Sequence, residues 1–177
     1  LGLFFLAAQL AFLPSEFASE VVGTVAFPLF SRLQTNLQQA KRAFQAILTG
    51  IVTLLFPICA LIIVLSPVLV QDVLGTKWNG TLPLIQILAI VTMIGLLGDA
   101  TIPLVKGFGQ THRVMMIEMV QSSILILMIL VFTRFFGTIG TALAWLPAII
   151  SVQILCLYFI RDLFQDPLKE ARRTIIA

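Results

Sequence analysis

The chain has 177 residues, 59% of them hydrophobic and only 11% charged, with a mean hydropathy of +1.08. Soluble domains carry about 25% charged residues, and a core of this size cannot hide so much apolar surface from water. Lipid is therefore the solvent for most of the chain, an ordinary soluble enzyme is excluded, and a net charge of +3 does not call for a nucleic-acid partner.

Residues 1–13 are apolar apart from Gln9. As a helix they reach about 20 Å, short of the roughly 30 Å hydrocarbon core. The first residue is Leu1, and no charged segment precedes the apolar run. That argues against a signal peptide and for a chain cut from a longer one. Pro14, Ser15 and Glu16 mark a break, after which 17–33, FASEVVGTVAFPLFSRL, forms a second span. A single kinked or re-entrant helix over 1–33 is the alternative.

A polar, basic link at 34–42 leads to the run 44–70. This run is about 40 Å long as a helix, enough to require tilt or a kink at Pro57, with a stop at Pro67. The loop 71–81, QDVLGTKWNGT, suits an interface at Trp78 and turns at Gly75 and Gly80. The run 82–105 carries Asp99, preceded by Gly95 and Gly98 and followed by Pro103. A basic, glycine-punctuated turn, KGFGQTHR, fills 106–113. The run 114–133 holds Glu118, Gln121, Ser122 and Ser123 in its first half; Arg134 and Gly137 mark a short turn; and 138–160 contains Pro147 and Gln153. The pattern predicts an all-α, polytopic membrane helix bundle of about five full spans and one truncated span over 1–160. A charged tail at 161–177 lies in water or at the interface.

Basic residues orient this bundle. Numbering the loops alternately, one side receives Arg32, Lys41, Arg42, Lys106, Arg113, Arg161, Lys169, Arg172 and Arg173, and the other only Lys77 and Arg134. By the positive-inside rule the first side is cytoplasmic, and the C-terminus lies there. Cys59 and Cys156 sit in apolar runs without CxxC spacing or a neighbouring His, which reads as buried, inert thiols. There is no HExxH, DxD, CxxC or Ser/His/Asp loop constellation. No catalytic residue, metal or cofactor is expected, and a membrane glycan polymerase or glycosyltransferase is the less favoured alternative.

VGTVAFPLFSRLQ at 22–34 resembles the signature of the polysaccharide exporters and lipid-linked oligosaccharide flippases, within the multidrug/oligosaccharidyl-lipid/polysaccharide superfamily. The resemblance continues through Ala43-Phe44, Phe56-Pro57, VLGTKW at 73–78, LIQILAI at 84–90 and KGFGQ at 106–110. It implies two six-helix lobes around a central cavity, about 12 helices in all, with this chain as the second lobe and the N-terminal lobe missing. It also implies a bacterial cytoplasmic-membrane protein that moves an undecaprenyl-diphosphate-linked oligosaccharide outward by alternating access. A multidrug or cation antiporter of the same superfamily is the alternative.

Charges at membrane depth are the candidate site residues, because they are costly unless they face protein or water. Asp99 is read as a cavity residue, binding a proton or cation or pairing with Lys106 or Arg32. Glu16 and Glu20 share a helical face at i,i+4 spacing, which suits ion coupling. Glu16 also fits a helix cap. Glu118 reads as an interfacial residue. Arg32 or Lys106 would meet the diphosphate at the cytoplasmic mouth, or would serve only to hold loops inside. Pro28, Pro57, Gly95, Gly98 and Pro147 are candidate hinges for the rocking motion, or static kinks.

Overall fold

The computed structural model describes residues 2–165. Within them the protein is all helical, with four helices long and apolar enough to cross a membrane. These are α1 (Gly2–Arg32), α2 (Leu37–Val68), α3 (Leu82–Gly107) and α4 (Thr111–Gln165). Most of the charged tail lies outside the described residues, including Lys169, Arg172 and Arg173.

The expected break at Pro14-Ser15-Glu16 is absent: α1 is one helix that runs through both Pro14 and Pro28. A proline removes a single donor, the one that would reach the carbonyl four residues back. Here that carbonyl belongs to Leu10, and the rest of the ladder holds. Pro14 is itself buried, and membrane helices tolerate such positions where neighbouring protein covers them. The runs read as 1–13 and 17–33 are therefore two halves of one rod.

Asn36 starts α2, its side-chain oxygen accepting the Gln39 N–H at 3.0 Å. The helix passes Pro57 and ends just beyond Pro67. Pro67 deprives the Ile63 carbonyl of its helical donor, and the Ser66 hydroxyl supplies one instead at 2.8 Å. A π-helical turn (Leu69–Leu74) and a 3-10 turn (Thr76–Thr81) then connect to α3. They meet at Gly75, whose φ of 87° favours glycine.

The end of α3 shows why the KGFG sequence is there. Gln110 N–H reaches the Val105 carbonyl at 3.1 Å and Gly109 N–H reaches that of Lys106 at 2.9 Å, with Gly109 at φ 73°. This is a Schellman ending, which needs a left-handed residue after the cap. Gly107 is required for a different reason. A Cβ there would lie 2.6 Å from the Phe30 Cβ, so α1 and α3 touch backbone to side chain at this end.

The last helix doubles back on itself. Gly137 has φ 61° and ψ −136°, outside helical values. Across it, the Thr133 and Thr141 hydroxyls lie 3.0 Å apart, although eight residues of straight helix would separate them by about 12 Å. At the far end Arg113 pairs with Asp162 at 2.5 Å and lies over the Phe159 ring, 5.0 Å from its centroid. Segments 111–136 and 138–165 are thus antiparallel arms, with Ile117, Val152, Cys156 and Phe159 packed together.

α1 and α3 run parallel and form the most intimate pair. Leu3 lies beside Gly80, Ser15 meets Asp99, and Gln34 Nε2 donates to the Gly107 carbonyl at 2.5 Å. The seam on α1 is a stripe of small residues, Ala7, Ala11, Ala18 and Ala26, all 0–2% exposed. Lipid tails give little drive for helices to associate, so close approach through small side chains does the work. With this arrangement Arg32, Lys41, Arg42, Lys106, Arg113 and Arg161 gather at one end of the bundle, and Lys77 and Arg134 at the other. Cys59 and Cys156 are free and buried.

Candidate functional site

α1 packs along α3 but meets α4 only sparsely, which leaves a groove between α1 and the first arm of α4, floored by α3. The groove consists of two adjoining recesses of about 480 and 390 Å³ that share Ser19, Asp99 and Ile102. α1 contributes Ser15, Glu16, Ser19 and Gly23; α3 contributes Asp99, Pro103 and Lys106; the first arm of α4 contributes Glu118 and Gln121. On α1 these positions follow a 3.6-residue repeat, offset from the alanine seam, so one helix carries a packing stripe and a polar stripe.

Asp99 stands where the two recesses meet. Ser15 Oγ donates to its Oδ2 at 2.9 Å, joining α1 to α3 at mid-length. Neither Lys106 nor Arg32 forms an ion pair with it among the described residues. Lys106 shares a recess with Asp99 and Glu118, toward the basic end. Pro103, also in the lining, lacks the N–H that would bond the Asp99 main-chain carbonyl. The groove is therefore rich in acceptors and holds one cation, a lining suited to hydroxyls or ammonium groups, with anion contact confined to the Lys106 end.

Of the residues singled out from sequence, Asp99, Lys106 and Glu16 come together in this groove. Glu20 and Arg32 are exposed and line neither recess. Gly95 and Gly98 border the smaller recess from within regular α3. A Cβ at either would sit 3.4 Å from a side chain of the second arm of α4, from Ile149 at Gly95 and from Gln153 at Gly98. At that distance a Cβ would make ordinary van der Waals contact, so packing does not require glycine at either position. Gln153 Nε2 donates to the Ile94 carbonyl at 2.8 Å across the contact. Pro28 and Pro57 lie on exposed helix faces and Pro147 within the second arm.

Several lining residues escape a helix-by-helix reading. Glu118 faces the groove although its position in the sequence suggests an interface. Ser15, Ser19, Gln121, Phe12 and Trp145 complete the smaller recess. The signal available for α1 is the spacing of Phe12, Ser15, Ser19 and Gly23; for Trp145 no local signal exists.

The smaller recess contrasts with a third, of about 250 Å³, on the other side of α1. That one is lined by Leu10, Leu13, Leu61, Ile62, Leu65 and Ile85, with Ser66 and Leu69, and is almost wholly apolar.

Residues 1–83 match the model of a family described as polysaccharide biosynthesis proteins. The chain is 25% identical over 155 residues to the lipopolysaccharide biosynthesis protein WzxC of Escherichia coli (strain K12), covering 88% of the chain and 31% of the relative. It is 27% identical over 109 residues to the teichuronic acid biosynthesis protein TuaB of Bacillus subtilis (strain 168), covering 60% of the chain and 23% of the relative. The chain thus spans less than a third of the length of either relative. No solved structure matches. With multiple membrane-length apolar helices and these relatives, the chain is a multi-pass membrane protein that is similar, over its first half, to polysaccharide biosynthesis proteins.

Proposed function

We propose that this chain is part of a transporter, not an enzyme, that carries a polyprenyl-diphosphate-linked oligosaccharide across the bacterial cytoplasmic membrane by alternating access. The carrying observation is the groove: carboxylates, hydroxyls, an amide and a lysine collected along one open face of an otherwise apolar helix bundle. A sugar-diphosphate head cannot enter hydrocarbon without losing the water on its charges and hydroxyls. A polar groove open along its length replaces that water while the polyprenyl tail stays in lipid. Lys106, at the basic end, suits a diphosphate oxygen, and the basic end is the cytoplasmic one by the positive-inside rule. The C-terminus then lies in the cytoplasm. The remainder of the protein supplies the facing wall of the cavity, and rocking of one wall against the other exposes the groove to each side in turn. Asp99, bonded to Ser15 and set between both recesses, is the residue whose loading with a proton or cation couples to that movement.

The test is a strain lacking the gene. Lipid-linked saccharide should accumulate on the cytoplasmic face, full-length protein should relieve the accumulation, and Asp99→Asn should relieve it poorly while inserting normally. A deletion strain with no such accumulation would overturn the reading.

A further inference from the structure

Trp145 is the one large aromatic that the second arm of α4 contributes to the polar groove. Its neighbour Phe12, from α1, lies 5.4 Å away centroid to centroid with the rings tilted by 58°. Interfacial tryptophans sit at helix ends, where the indole can reach the headgroups. Trp145 is eight residues past the turn at Gly137, about 12 Å along the arm, and half-buried. It lines the smaller, half-open recess that also holds Glu16, Asp99 and Gln121.

A flat ring beside carboxylate and amide acceptors matches the two sides of a pyranose. The sugar's C–H face is apolar and rests on an aromatic ring, while its rim of hydroxyls donates to acceptors. The volume of about 390 Å³ suits one or two such rings. The groove is also ordered along its length, with Lys106 and Glu118 in the larger recess and Trp145 in the smaller. An amphiphile with its phosphates at Lys106 would place its first sugars toward Trp145.

We propose that Trp145, held by Phe12, is the platform on which a sugar ring of the cargo stacks, with Glu16 and Gln121 receiving its hydroxyls. This rests on the transport reading above and assigns it a saccharide subsite separate from the phosphate contact.

The experiment uses the full-length protein in detergent and two radiolabelled probes: polyprenyl diphosphate carrying one hexose, and bare polyprenyl diphosphate. Trp145→Leu should weaken equilibrium binding of the hexose-bearing lipid about tenfold and leave the bare lipid unchanged. Trp145→Phe keeps an aromatic face and should retain most of the binding. Both variants are checked for an unchanged melting temperature, so that a loss of fold is not read as a loss of contact. Equal weakening of both lipids by Trp145→Leu, or no weakening of either, would overturn the platform while leaving transport standing. Failure of the unaltered protein to bind either lipid would overturn the transport reading and the platform with it.

Discussion

Along one side of α1 the chain is fused to α3, and along another it stands away from α4. The fused side is the alanine stripe, closed at the Arg32 end where Phe30 fills the space a side chain at Gly107 would need. The open side carries Ser15, Glu16 and Ser19. The difference teaches how a single membrane helix separates two jobs. Small apolar residues at near-fourfold spacing bring backbones together, and polar residues displaced around the same rod are left facing a gap. Stability should therefore depend on the first stripe and transport on the second.

The largest stability effect should come from enlarging the fused side. Ala18→Leu and Gly107→Ala, taken singly, should each cost about 1–3 kcal/mol through overpacking, read as a lower melting temperature in detergent. An unchanged melt in both would dissolve the contrast. Next is Leu13→Glu, on the wall of the apolar recess, where a carboxylate among acyl chains should reduce the yield of inserted protein. Glu16→Leu, three residues away in the groove, should insert normally and lose transport. Smaller again is Ser15→Ala, which removes one interhelical hydrogen bond, about 0.6 kcal/mol, and should alter transport more than melting. Glu20→Gln should change neither measurement, since Glu20 lines neither recess.

Much of this was legible from the residues, for reasons that can be named. Apolar runs announce helices in lipid, and an Asp at depth announces a neighbour or a cavity; Asp99 meets Ser15 and lines both recesses, while the pairing with Lys106 or Arg32 is not formed. The continuity of α1 through Pro14 could not. A proline forfeits one hydrogen bond, and whether the helix survives depends on what surrounds it, here a buried position. Glu20 shows a related limit. One turn from Glu16 it shares a face in an isolated helix, yet the edge of the groove falls between the two. Glu118, Gln121 and Trp145 come from elements whose mutual placement no single periodicity encodes. The alanine stripe, Ala7, Ala11, Ala18 and Ala26, was likewise not singled out, because alanines inside an apolar run carry no mark of their own until a second helix packs on them.

The reversal at Gly137 sets where slack can reside. One pair of rods is clamped from the Leu3 end to Gly107 and can only travel as a unit. The folded arm opposite is pinned near its open ends by the Arg113 and Asp162 charges, and is tied to the clamped pair by the contacts at Ile94, Gly95 and Gly98. Joined at the bend and again at Arg113 and Asp162, and packed together through Ile117, Val152 and Cys156, the two legs form a closed loop, so the width of the trough is set by how that loop as a whole sits on α3.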